Sequence, residues 1–405
     1  MRPLPLRVLL VAAVMAATLI PARAAFAFSD VPKGYWDYDA IQYVAVTNTW
    51  MQDYGTQTFQ PSTKEHRGQL AQALVLAYAP DEPIDPSITF TDLPKTDPLY
   101  PFANVAVKLG WIEKYASGKY APLDPVRFSL LDRSLVRAMG SFSAAIDGLT
   151  NIHEADGTPY VTQDRLAEMQ LARWLDLHYN HDDESLDFQK RAYINRDEMA
   201  YSLWKAKTLP SWKVDDAHLF DDITLADAST GQHAFTQFAL DWIGPPYIWG
   251  GEWNTSTGNG YCCGTQPQGG YDCSGFVWWV LKKNEDGYNA AQFHPDYKGW
   301  IIHERVSHDM AKMAPSKLTF GELVQGNLMF FASNGGSTWS DVDHVGIYLG
   351  NNWMINSTGG GPQLEWVGDG YYYDIFVFGR KVVQKEASSP AESFDLTVGE
   401  PAIGP

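Results

Sequence analysis

Cysteine is scarce, with three in 405 residues, too few for disulfides to frame a chain of this size. Basic residues are also few, 30 Lys and Arg against 48 Asp and Glu, for a net charge of −18. Nucleic-acid phosphates need a basic face, so no nucleic-acid partner is expected. Long apolar runs are missing beyond residue 27, and the early run Val8 to Ile20 is too short to cross a bilayer comfortably. That run follows Arg2 and Arg7 and leads into Pro21-Ala22-Arg23-Ala24-Ala25-Phe26-Ala27. This is the layout of a secretory signal peptide over residues 1–27, so the expectation is an exported chain with no membrane span after cleavage. Metal-ligand spacing is absent as well. There is no C-x-x-C pair, and His303-Glu304 with His308 is one residue longer than H-E-x-x-H, so neither metal nor other cofactor is expected. What remains is globular: 45% hydrophobic and 19% charged, long enough for two or three domains.

An internal repeat begins at Phe28. Its first unit (28–82) reads Phe28-Ser29-Asp30-Val31-Pro32, Tyr35-Trp36, Phe59-Gln60-Pro61 and a helix opening near Arg67. The second (88–143) repeats Phe90-Thr91-Asp92-Leu93-Pro94 and Tyr120-Ala121-Pro122. The third (150–208) has lost the opening and keeps the last helix, around Asn195-Arg196-Asp197-Glu198. These units resemble S-layer homology repeats, small helix–loop–helix modules that usually act in threes. The resemblance implies attachment to secondary cell-wall polymer and puts its anion-binding arginine at Arg67 and Arg196. A guanidinium suits a planar carboxylate, and it serves equally to pair or cap within a helix. An acidic linker (209–230) follows, and a Ser-, Pro- and Glu-rich flexible tail (384–405) ends the chain.

The chemistry concentrates in residues 231–383. Asp272 is a good N-cap for the apolar run Cys273-Ser274-Gly275-Phe276-Val277-Trp278, so Cys273 falls in a first helical turn. Backbone N–H groups there favour an anion, so the expectation is a lowered thiol pKa and a nucleophile awaiting a base. His344 opens the apolar strand His344 to Gly350. Asn351-Asn352 makes a hairpin turn into Trp353 to Asn356, and across such a pair Asn356 is able to orient the His344 ring.

Tyr247-x-Trp249-Gly250-Gly251, Asp272-Cys273-Ser274-Gly275, Gly326-Asn327-Leu328-Met329-Phe330-Phe331 and His344-Val345-Gly346-Ile347-Tyr348 together resemble the NlpC/P60 family of papain-like cysteine peptidases. The implied fold class is α+β, with a papain-like catalytic domain preceded by mostly helical repeats. By resemblance the nucleophile is Cys273, the base His344 and the third polar residue Asn356. Tyr247, Asp272 and Ser274 would line the substrate pocket. Asn356 stands where the family often has His, and Asn327 replaces an Asp. The adjacent Cys262 and Cys263 lie in a long Gly-rich loop and are expected to be accessories. The implied function is a secreted, wall-associated endopeptidase that cuts peptidoglycan stem peptides at the D-glutamyl–diamino acid bond. The alternatives are a wall-bound scaffold with a degenerate catalytic domain, or an amidase or acyltransferase using the same Cys–His pair.

Overall fold

The computed structural model describes residues 28–51, 57–179, 192–252, 269–281 and 304–382. The expected leader, the Cys262-Cys263 pair and the tail 384–405 fall outside these residues. Among the described residues no helix is long and apolar enough to cross a membrane. Helices come first: α1 (Tyr38–Ile41), α2 (Arg67–Tyr78), α3 (Tyr100–Lys108), α4 (Phe128–Met139), α5 (Ser143–Thr150), α6 (Leu166–Trp174), α7 (Arg196–Thr208), α8 (Ser211–Asp216) and α9 (Thr230–Leu240). Short strands β1 (His153–Glu154) and β2 (Thr224–Leu225) pair in parallel among them. Then follow α10 (Cys273–Leu281), α11 (Ser307–Lys312), β3 (Leu328–Phe331), β4 (His344–Gly350), β5 (Trp353–Thr358), β6 (Gly361–Trp366), α12 (Gly370–Asp374) and β7 (Phe376–Arg380). The larger sheet has the order β6-β5-β4-β3-β7, antiparallel throughout.

The repeat motifs act as local clamps. Asp30 accepts hydrogen bonds from the N–H groups of Phe59 and Gln60, at 2.9 and 2.7 Å. Asp92 does the same for Tyr120 and Ala121, at 2.8 and 2.9 Å. Gln60 and Ala121 are both left-handed, with φ of 56° and 54°, and the carboxylate holds that strained turn closed. Matching segments of the units then bond head to tail. Val126 donates to the Glu65 carbonyl at 2.8 Å, Glu65 to Ile194 at 3.0 Å and Ile194 to Val126 at 3.0 Å, which closes a ring with pseudo-threefold character. Helices α2, α4 and α7 start immediately after this ring. Asn195 and Glu198 form a capping box at the start of α7.

Two stretches differ from expectation. Residues 209–230 are folded elements, not a bare connector: Ala217, Phe220, Ile223 and Leu225 are buried apolar anchors that the acidic composition conceals. Where the third unit lacks its F-x-D opening, the chain instead builds α5, β1 and α6. Gln170 of α6 exchanges hydrogen bonds with Leu364 of β6, at 2.9 and 3.0 Å, and Phe220 packs between Trp174 and Trp353. The apolar core therefore runs without interruption from the repeats into the sheet.

That sheet has two unlike faces. Val345, Ile347, Leu349 and Ile355 join the main core, beneath α10. The opposite face carries Met329, Phe331, Tyr348 and Met354, covered by Leu323 and by Tyr372 of α12. Successive side chains of a strand alternate between faces, so His344 and Gly346 share the second face. Asn351 and Asn352 both have positive φ (48° and 65°), which matches the two-residue turn expected between β4 and β5.

Candidate active site

All nine residues of α10 are buried, and its N-terminus is fixed by the residue before it. Asp272 Oδ1 accepts from the Gly275 N–H at 2.5 Å, and Oδ2 accepts from Gly250 N–H at 3.0 Å. The Gly250-Gly251 loop thus lies directly against the first turn. A side chain at Gly275 would put its Cβ 2.0 Å from the Gly251 carbonyl oxygen, so only glycine admits that approach.

Strands β4 and β5 pair as far as Gly346 opposite Asn356, with no closer pairing toward His344. The first turn of α10 lies beside the His344 end of β4. The Ser357 hydroxyl donates to the Tyr271 carbonyl at 2.9 Å, which ties β5 to the segment leading into Cys273. Cys273 Sγ lies 4.0 Å from the carbonyl oxygen of Asp343, the residue before His344. The thiol therefore sits beside the backbone that carries the imidazole. The His344 ring, partly exposed, stacks on Tyr372 at 5.7 Å and approaches Phe331 at 5.8 Å. Asn356 is fully buried and lies close enough to His344 to act on its ring, though no hydrogen bond of good geometry forms at its amide nitrogen, its oxygen or His344 Nε2. Buried amides are seldom left so, and here the unsatisfied groups sit on neighbouring strands of one face.

The electrostatics correct one sequence expectation. Burial pushes the Cys273 thiol up to about 12, with the Asp272 charge adding to the rise, and backbone N–H groups oppose it only in part. Burial pulls His344 down to about 4, against the opposing pull of Asp343 and Asn356. Desolvation outweighs the helix-terminus effect, so Cys273 rests as a neutral thiol and His344 as a neutral imidazole.

Tyr247 is half-buried near Cys273, its phenol pushed up by burial and then by the Cys273 and Asp272 charges. Beside it Trp249 is 83% exposed. Asp272 and Ser274 are both nearly buried, at 9% and 5% exposure. Arg305, which sequence reasoning missed, holds both: Nη1 lies 3.0 Å from Asp272 Oδ1 and 3.0 Å from Ser274 Oγ, while Nε donates to Glu252 at 3.0 Å. Its Nη2 reaches the Gly250 and Gly251 carbonyls at 3.0 and 2.9 Å. Arg305 binds loop, cap and helix into one unit. In the sequence its neighbours drew attention as a near-miss metal motif. Of that motif His303 lies outside the described residues, and Glu304 pairs with Arg380 at 3.3 Å.

The two repeat arginines also lie inside. Arg67 Nε donates to the Tyr120 carbonyl at 2.9 Å and its guanidinium stacks on Tyr115 and Tyr120. Arg196 Nε donates to the Phe59 carbonyl at 2.8 Å, stacks on Phe59 and pairs with buried Glu65 at 3.4 Å. Each unit's arginine thus grips the F/Y-x-P turn of another unit, and the second unit has Phe128 at the corresponding position. Among the described residues, Glu154, Asp156 and Asp227 have metal-ligand spacing. Both Glu154 oxygens already accept hydrogen bonds, Oε1 from Tyr160 and Oε2 from the Ala228 N–H.

The order of these parts has a counterpart among known proteins. Residues 244–380 match the NlpC/P60 family. The chain is 32% identical over 145 residues to the bifunctional muramidase/DL-endopeptidase CwlT of Bacillus subtilis (strain 168), covering 35% of this chain and 34% of that protein. It is 29% identical over 168 residues to the murein DD-endopeptidase MepH of Escherichia coli (strain K12), covering 40% and 51%. The structure of the peptidoglycan hydrolase RipB from Mycobacterium tuberculosis aligns with 23% identity over 38% of this chain and 65% of that one, with a TM-score of 0.27. The chain thus spans between about a third and a half of the length of these two curated relatives.

Proposed function

We propose that this protein is an exported cell-wall hydrolase, a cysteine endopeptidase that cuts peptidoglycan stem peptides. The observation that carries this reading is the seating of Cys273 where β4 and β5 part, against the chain segment that presents His344. Cys273 attacks the peptide carbonyl. His344 takes its proton and delivers it to the amine as the peptide bond breaks, water then hydrolyses the resulting thioester and returns the thiol, and Asn356 orients the ring. The neutral resting pair means that the proton moves as the substrate carbonyl is engaged. A carbonyl carbon accepting the sulfur and an amine accepting the proton need no charge separation beforehand. Tyr247 and the exposed Trp249 flank the nucleophile as substrate contacts, and Asp272, Ser274 and Arg305 set the position of the helix start. The proposed scissile bond is D-glutamyl–diamino acid, and the papain-like arrangement of nucleophile, base and orienting group supports it by family resemblance.

The signal-like N-terminus supports secretion, and the repeats support a place at the wall, with secondary wall polymer as the proposed partner. Because Arg67 and Arg196 bond inside the repeats, their part in that attachment is to shape the units. Purified wall digested with the protein and with Cys273→Ala, then resolved by mass spectrometry, tests the reading. New peptide termini that depend on Cys273 support it, and identical digests exclude it.

A further inference from the structure

An imidazole turns readily about χ2, whose energy wells are broad, so a base needs its ring plane fixed. Asn356 acts at the ring edge, and no hydrogen bond of good geometry forms there. The faces of the ring are held by other rings. Phe331 of β3 stands opposite His344 in the strand register, with the two ring centres 5.8 Å apart. Tyr372 of α12 completes a triangle, 5.7 Å from the imidazole at an interplanar angle of 30° and 5.2 Å from Phe331 at 64°. These are the spacings of offset and edge-on aromatic pairs.

The chain places Tyr372 with local devices. As it leaves β6, the Trp366 indole donates to Asp369 at 3.1 Å. Gly370 then takes a φ of 72°, a conformation that side chains disfavour, and α12 begins. Phe320 packs on Tyr373 at 5.1 Å and anchors the helix. Of its three consecutive tyrosines, Tyr371 and Tyr373 are 62% and 49% exposed, and only Tyr372 turns inward. Burial, then Glu365 of β6, Tyr371 and Cys273, push the Tyr372 phenol up, with Thr358 opposing. The phenol therefore keeps its proton, and what it brings to the site is an aromatic face close to nucleophile and base. The other groups that act on His344 are Asp343 beside it, Asp272 at the start of α10 and Asn356 of β5, all favouring the imidazolium. Burial outweighs them, and the Tyr372 ring is part of that cover.

We propose that Tyr372 is a positioning residue of this site: its ring fixes the plane of the His344 imidazole and keeps water off one of its faces. The proposal rests on the reading of His344 as the base and deepens it. It assigns the work to the ring and none of it to the hydroxyl. A dry face keeps the imidazole neutral, and so able to take the Cys273 proton, at a lower pH than a solvated imidazole allows.

The test pairs histidine NMR of the full-length protein with digestion of purified wall, the His344 resonance being assigned by its loss in His344→Ala. In Tyr372→Ala the His344 midpoint is expected to rise from about 4 toward the free value of roughly 6.5. Release of stem peptides should fall about tenfold or more, the scale of a lost positioning contact. Tyr372→Phe keeps the ring and should match the parent in both midpoint and rate. Tyr372→Leu keeps most of the volume, serves if Tyr372→Ala does not fold, and should lose rate through the freed ring plane. A His344 midpoint unmoved by Tyr372→Ala, full release by Tyr372→Leu, or release lost in Tyr372→Phe overturns the proposal. The parent reports separately on the function. A parent that frees no peptide from wall overturns the hydrolase reading itself, whereas a cleaving parent whose His344 titration ignores Tyr372→Ala overturns only the role of Tyr372.

Discussion

At Cys273, position and environment act in opposite directions. The first turn of α10 offers N–H groups to an anion, yet enclosure and the neighbouring Asp272 carboxylate keep the proton on sulfur, with the thiol at about 12. Iodoacetamide should therefore modify Cys273 in the resting protein with an apparent pKa above the roughly 8.5 of a free thiol. Rapid modification at pH 6 would show a preformed thiolate–imidazolium pair instead. In the proposed mechanism nucleophile and base act as one unit, so Cys273→Ala and His344→Ala should be equally inactive in wall digestion, and the double variant hardly worse. The proposed role of Asn356 is only to position, so Asn356→Ala should retain activity reduced on the order of tenfold to a hundredfold. Gly275→Ala works through packing. With its Cβ 2.0 Å from the Gly251 oxygen, it should lower stability by about 1–3 kcal/mol, measurable by denaturant unfolding.

Among the elements, the arginine grip between repeat units makes the clearest prediction. Arg196 and Glu65 are both nearly inaccessible, at 2% and 0% exposure, and they are paired. Burial lifts Glu65 to about 7 even with the arginine lowering it. Arg196→Ala removes that compensation and the Phe59 contact, and should cost about 3–5 kcal/mol in chemical unfolding. An unchanged midpoint would mean that the Glu65 pair and the Phe59 contact do not hold the units together. The elements that the sequence disclosed are those whose signal is local: α10 behind its Asp272 cap, β4 and β5 around the Asn351-Asn352 turn, and the paired Asp30 and Asp92 clamps. Strand β6 escaped notice because Gly361-Pro362-Gln363 reads as loop, and its pairing depends on a neighbour already in place. Arg305 escaped because its partners Asp272 and Glu252 lie 33 and 53 residues away in sequence. No periodicity records such a contact. The third unit shows the same limit: loss of its opening motif is readable in the sequence, while the docking of α6 on β6 through Gln170 is not.

Across the whole molecule, stability should depend on pH in a way that separates buried acids from His344. Asp37 is 2% exposed and its Oδ2 has no hydrogen-bond partner. Burial first, then the charges of Asp197 and Asp39, raise it to about 9. Glu65 and Glu365 rise to about 7 through burial. A carboxyl whose folded pKa exceeds its unfolded value binds more protons in the folded state. Stability therefore falls as pH rises from the ordinary carboxylate range toward the folded value. His344, lowered to about 4, has the opposite sign. The unfolded imidazole binds the extra proton, so its contribution grows as pH rises from about 4 to the unfolded value of roughly 6.5. The two trends overlap below pH 7. At pH 7 Glu65 and Glu365 are still half protonated in the folded chain and finish by about pH 8, His344 is nearly done, and Cys273 joins only near the free-thiol value of roughly 8.5. The interval from about pH 7 to 8.5 thus belongs mainly to Asp37. Thermal melts of the parent should show Tm falling across this interval. Asp37→Asn, which keeps the shape and removes the titration, should give a clearly shallower decline there, confined mostly to the part below pH 8, and a higher Tm than the parent at pH 8.5. If parent and variant decline in parallel, the proton is not held at Asp37, and the slope comes from the general repulsion of a chain that carries −18.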